Sequence, residues 1–115
     1  MSATNGRVFE IRTYVVYPGK LDAVLARLEQ HSVPLFHKHG MESVAYLKVP
    51  GDETTGDTLI YVLAHASRDA AAGNWSAFHA DPDWRRVKAA TEAGGRLIYS
   101  VSSVFAEPAA FSPLQ

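Results

Sequence analysis

The 115 residues, 47% hydrophobic and 20% charged, suffice for one domain with a real core and are too few for two. A formal net charge of -1 gives no electrostatic basis for binding nucleic acid or an anionic membrane, and the absence of cysteine excludes disulfides and thiolate metal sites. The polar segment Met1 to Gly6 carries no leader-like apolar run, and no stretch approaches the ~20 apolar residues of a membrane span, so a cytoplasmic protein with no membrane partner is expected.

Residues 8 to 16 alternate and are rich in Val, Ile, Tyr and Phe, the pattern of a strand. Pro18 and Gly19 then open a helix, Pro18 in its first position, with Leu21, Val24, Leu25 and Leu28 on one face. Pro34 interrupts that pattern, so a kink or short second segment is expected through Leu35 and Phe36. His39-Gly40 ends it, the glycine in a left-handed cap. Residues 41 to 49 read as a second strand, 50 to 57 as a turn-rich hairpin loop and 58 to 66 as a third strand. Ser67 caps a helix bearing Ala71, Trp75 and Phe78. Asp81-Pro82-Asp83-Trp84 starts the next, with Trp84, Val87 and Thr91 on one face. Gly94-Gly95 stops it, residues 97 to 105 make the fourth strand, and 106 to 115 form an irregular tail on a core of 7 to 105. A single domain thus spans 1 to 115. Its order, strand-helix-strand-strand-helix-strand, is the split βαβ of a ferredoxin-like α+β fold: a four-stranded antiparallel sheet with both helices on one face.

The third strand is apolar on both faces, at Leu59, Tyr61 and Leu63 and again at Ile60, Val62 and Ala64. The fourth offers Leu97, Tyr99 and Val101 on one face, Ile98 and Val104 on the other. Helices cover only one side of such a sheet, and the other would leave an apolar patch larger than monomers tolerate. A homodimer packed sheet against sheet about a twofold axis resolves this; cover by the tail is the alternative.

Several motifs together resemble the NIPSNAP family. They are Val8-Phe9-Glu10-Ile11-Arg12-Thr13-Tyr14, Pro18-Gly19-Lys20-Leu21, the Pro34 break, Lys38-His39-Gly40, Asp81-Pro82-Asp83-Trp84 and the terminal Phe111-Ser112-Pro113-Leu114. They occur in the family's order and span nearly the whole chain. The resemblance implies the dimeric α+β barrel superfamily, whose members include cofactor-independent oxygenases, haem-degrading enzymes and small isomerases or cyclases; the family itself has no assigned reaction. The chain departs from the family pattern at Ala71 and Trp75, where basic residues are usual, at Ser100-Val101-Ser102, and at Tyr61 and His65. A ligand site at those positions would take a different ligand.

Glu10, Arg12 and Tyr14 share one face of the first strand. Beside a cavity, Arg12 would orient a carboxylate or enolate, Glu10 would hold Arg12, and Tyr14 would donate a hydrogen bond; a purely structural ion pair is the plainer alternative. His31, near the apolar stripe of the first helix, is the candidate general base, its pKa near neutral suiting proton abstraction. His39 is a second ligand-binding candidate, although a helix C-terminus accounts for it without catalysis. Trp75 and His79 stand one turn apart, a pairing that in haem-degrading relatives serves haem, but Trp75, Phe78 and Trp84 read more simply as core or pocket-wall aromatics. Tyr61, Trp75 and Trp84 complete the candidate ligand-binding set. No histidine or carboxylate spacing reaches a metal site, His37 and His39 falling on different helix faces, and no cofactor is expected. Arg85-Arg86-Lys88 read as a solvated helix face.

The expected protein is a homodimer binding a compact aromatic or keto-acid-like metabolite between sheet and helices. Proton abstraction by His31, with Arg12 and Tyr14 stabilising the anion, is the most concrete chemistry; isomerisation or reaction with oxygen would follow. A non-catalytic binding or scaffolding module is the alternative, and a cavity filled by Trp75, Trp84 and Phe36 would favour it.

Overall fold

The alternating segment at the N-terminus forms β1, Val8–Val16, in a computed structural model that describes residues 7–52 and 56–115. Met1 to Gly6 and the middle of the 50–57 loop lie outside the described residues. The remaining strands are β2 (Glu42–Val49), β3 (Thr58–His65) and β4 (Ile98–Ala106). They form one sheet in the order β2-β3-β1-β4, every neighbouring pair antiparallel. β1 and β3 are therefore central, which is why their residues are the most buried.

Helix formation begins later than Pro18. Pro18 and Gly19 remain in a turn, Gly19 at φ +79°, and α1 runs Leu21–Arg27. A left-handed glycine cannot belong to a right-handed helical turn, so the chain must pass it before coiling. The Pro34 break takes a specific form, a π-helical turn at Leu28–Ser32 ahead of α2 (Val33–Lys38). Val33 donates to the carbonyl of Leu28, five residues back. Pro34 has no N–H and its ring crowds the carbonyl four residues earlier, that of Gln30; widening the turn relieves that clash without ending the helix. Gly40, at φ +83°, terminates α2, and a Cβ there would also press on Asn74 Oδ1.

Ser67 caps α3 (Arg68–Ala80), its hydroxyl accepting from the Ala70 amide at 3.0 Å. Asp81 caps α4 (Pro82–Thr91), accepting from the Asp83 amide at 2.8 Å. The same carboxylate accepts from Lys38 Nζ at 2.8 Å and His39 Nε2 at 2.7 Å, tying the end of α2 to the α3–α4 corner.

All helices cover one face of the sheet. Leu59, Tyr61 and Leu63 of β3 are fully buried there with Val24, Phe36, Met41 and Phe78. The predicted alternation of β4 fails at its start: Val15 pairs with Ser100 but Val16 with Ile98, a bulge that leaves Tyr99 out of step. Leu97 is consequently buried while Tyr99 is exposed, edge-on to Tyr17. On the opposite face, Leu47, Val49 and Val104 are 55%, 47% and 57% exposed. The C-terminal tail covers only one end of that face, over Phe9, and its own Phe111 is 90% exposed. Among the described residues no helix is long and apolar enough to cross a membrane.

Candidate functional site

Strand parity puts Glu10, Arg12 and Tyr14 on the helix-covered face of β1, and the structure joins them through a buried polar network within one chain. Arg12 Nη1 donates to Glu10 Oε2 at 3.0 Å. Ser103 Oγ on β4 donates to the same oxygen at 2.6 Å. The other oxygen, Oε1, accepts from His65 Nε2 at 2.8 Å and from the Trp75 indole N–H at 2.7 Å. Asn74 Nδ2 lies 3.2 Å from His65 Nδ1, so Nδ1 accepts from the amide while Nε2 donates to Glu10. Burial by itself raises the pKa of Glu10, but hydrogen bonds from His65, Ser103, Trp75 and Arg12 outweigh it and hold the carboxyl at about 2. Glu10 is thus a fixed anion that orients its neighbours.

Arg12 is aimed from its other side. Its Nε donates to the Tyr61 hydroxyl at 2.7 Å, and Tyr61 donates to the Tyr14 hydroxyl at 2.7 Å. That relay leaves the Tyr14 proton for a further acceptor. The guanidinium also lies 4.2 Å from the Trp75 ring centroid. Burial pushes the Tyr61 hydroxyl well above its ordinary pKa, the neighbouring Tyr14 adds to the shift, and Arg12 opposes it; Tyr61 therefore acts as a neutral donor.

Arg12 and Tyr14 line a cleft of about 470 Å³ between the β1–β4 edge and α4. A narrow recess of about 50 Å³ shares Arg12, Tyr14, Arg27, His79 and Trp84 with it and continues inward to Phe36, Trp75 and Phe78. Arg27 is buried, its Nη1 donating to Glu92 at 2.8 Å and to Thr91 at 3.2 Å. Five cationic side chains line the cleft (Arg12, Arg27, Arg85, Lys88 and Arg96) against one carboxylate, Glu92. His79 stacks on Trp75 with centroids 5.6 Å apart. Burial, with the nearby charges of Arg12 and Lys88, lowers its pKa, so its imidazole is neutral at physiological pH.

The candidate residues separate accordingly. Arg12, Tyr14 and Trp84 line both cavities and Trp75 the recess, whereas Glu10 and Tyr61 are buried behind them as supports. His31 is exposed on the π-helical turn and lines neither cavity; His39 is held by Asp81, away from both. Arg85 and Lys88, read from sequence as a solvated face, line the cleft. Strand register carries His65 to Glu10 and not to His37 or His39; parity with Tyr61 was the one sequence signal for it. Among the described residues no cluster of histidine and carboxylate side chains suited to a metal occurs.

The sequence profile of the NIPSNAP family matches residues 9–113. The chain belongs to the NIPSNAP family. Solved NIPSNAP relatives share the fold. A NIPSNAP family protein of unknown function from Agrobacterium tumefaciens superposes with a TM-score of 0.79 at 26% identity, covering 96% of each chain. A NIPSNAP-like domain protein from Burkholderia xenovorans gives 0.77 at 15% identity, covering 95% of this chain and 90% of that one. Outside the NIPSNAP group, a cofactor-independent oxygenase from Streptomyces nogalater gives 0.54 at 14% identity, covering 94% and 98%. That likeness is one of fold alone. No curated protein matches the chain significantly.

Proposed function

We propose that this NIPSNAP chain is a homodimeric small-molecule protein whose cleft binds a compact keto-acid-like anion and supports proton abstraction from it. The observation that carries the reading is the joint lining of one cleft by Arg12, Tyr14 and His79, with Arg12 held rigidly by Glu10 and Tyr61. Arg12 receives the carboxylate or carbonyl oxygen, and the Tyr14 hydroxyl donates to the oxygen that becomes anionic. The neutral imidazole of His79 takes a proton from the carbon beside the carbonyl, whose bonding pair becomes the enolate. Return of that proton at the same or another carbon completes an exchange or an isomerisation; dioxygen from solution is the alternative acceptor of the enolate's electrons. His79 takes the role that sequence reading gave to His31. Phe36, Trp75 and Trp84 narrow the inner recess to about 50 Å³, but the outer cleft of about 470 Å³, with Trp84 as a wall, is open. That open cleft favours this reading over a scaffolding module.

Phenylpyruvate in deuterium oxide tests the chemistry, with loss of its benzylic proton signal followed by NMR. Acceleration by the wild-type protein, reduced at least tenfold in His79→Ala, is expected from the size of general-base effects. No acceleration, or an unchanged rate in the variant, overturns the assignment.

The dimer is supported by the exposed apolar face carrying Leu47, Val49 and Val104. Sedimentation velocity is expected to give a dimer for the wild type and a monomer for Val104→Glu; a wild-type monomer sinks this part of the proposal.

A further inference from the structure

We infer that the cleft is built for a ligand with two anionic groups, a flat dicarboxylate with one end at Arg12 and the other at an outer rim of Arg85, Lys88 and Arg96. The inference rests on the reading of the cleft as a small-molecule site and names the class of molecule it takes. Its first support is position. Arg12 lines both the cleft and its inner recess, while the three rim cations line the cleft only and are solvent-exposed. The positive charge is therefore divided between an inner and an outer end.

The second support is how the charges are paired. Glu92 accepts from Arg27 at 2.8 Å and from Lys88 at 3.0 Å, so one carboxylate serves two cations. Arg12 is shared with Glu10. Arg85 donates Nε only to the His79 carbonyl, at 3.2 Å, and Arg96 donates Nη2 only to the Ile98 carbonyl, at 3.3 Å. Neither guanidinium has a carboxylate partner among the described residues. A chain of formal net charge -1 thus concentrates unneutralised cations at one cavity mouth. Guanidinium forks match carboxylates, which selects an anion over a neutral polar ligand.

The third support is what lies between the two ends. Trp84, Leu97, Ile98 and Val101 give the cleft an apolar wall, suited to an aromatic or unsaturated link. A volume of about 470 Å³ holds one compact molecule.

Calorimetric titration with phenylacetate and 1,4-phenylenediacetate, at low and at high salt, tests the inference. The two probes share a ring and differ in the second carboxylate. For the wild type at low salt, the dianion is expected to bind at least tenfold more tightly than the monoanion. The ratio should shrink at high salt, where exposed charges are screened. In the double variant Arg85→Gln/Arg96→Gln the ratio should approach one; both arginines are exposed, so the fold is retained. Equal binding of the two probes by the wild type overturns the two-anion assignment while leaving the cleft a small-anion site. A tenfold preference that survives in the double variant also overturns it, because the two rim guanidiniums without a carboxylate partner are then not its cause, and Lys88 is already paired with Glu92. Failure of the wild type to bind either probe at millimolar concentration overturns both this inference and the reading beneath it.

Discussion

Glu10→Ala is expected to destabilise the protein by about 3–5 kcal/mol, the usual cost of removing one partner from a buried charged pair. Four donors lose their acceptor at once: Arg12, His65, Trp75 and Ser103. Alanine returns nothing to them, and each buried donor left unpaired adds its own desolvation cost. For a chain of this size the melting temperature should fall by roughly 10–20 °C, read by circular dichroism. The same carboxyl predicts an acid response. Its pKa is lowered from 4.5 to about 2, so its contribution is fully present above pH 4.5. It fades as pH falls towards 2, by roughly 3 kcal/mol in all. Asp81 is shifted downward too, chiefly by Lys38 and His39. The diagnostic quantity is therefore the difference in stability between wild type and Glu10→Gln. That difference should shrink between pH 4.5 and 2. A constant difference across that range would show that Glu10 is not held as an anion.

Phe36→Ala should cost a comparable 3–5 kcal/mol, because Phe36 is the common neighbour of three other rings. Its centroid lies 6.1 Å from Tyr61, 5.5 Å from Trp75 and 5.1 Å from Phe78. The ring fixes α2 against both the sheet and α3, and the cavity left behind cannot close without moving one of them. The loss also reaches the site, since Phe36 lines the recess beside Arg12. Phe36→Leu, which retains most of the volume, should lose much less. A melting temperature within about 2 °C of wild type for Phe36→Ala would show that the aromatic cluster does not anchor α2.

The fold was legible because its signals are local. The alternation of residues 8 to 16, the caps at Ser67 and Asp81 and the positive-φ glycine at Gly40 each act within a few residues of chain. Signals of the same kind misled where neighbours intervened. The Pro-Gly pair resembled a helix start but makes a turn, and one inserted residue between Val15 and Val16 of the register put Tyr99 out of phase. Parity alone placed Glu10, Arg12 and Tyr14 together, and the pairing of the first two followed from their spacing.

Sequence by itself determined the element order, the α+β class, the shared face of Glu10, Arg12 and Tyr14 and, through the apolar second face of β3, an exposed sheet surface. Tertiary structure decided which histidines and which cations meet them. His65 reaches Glu10 across 55 residues, and His79 and Arg96 reach the cleft from α3 and from the segment before β4. His31, closer in sequence, faces away. Secondary structure follows from dihedral preferences and side-chain periods, which a chain displays residue by residue. A site follows from strand register and helix docking, which exist only once the whole core has packed.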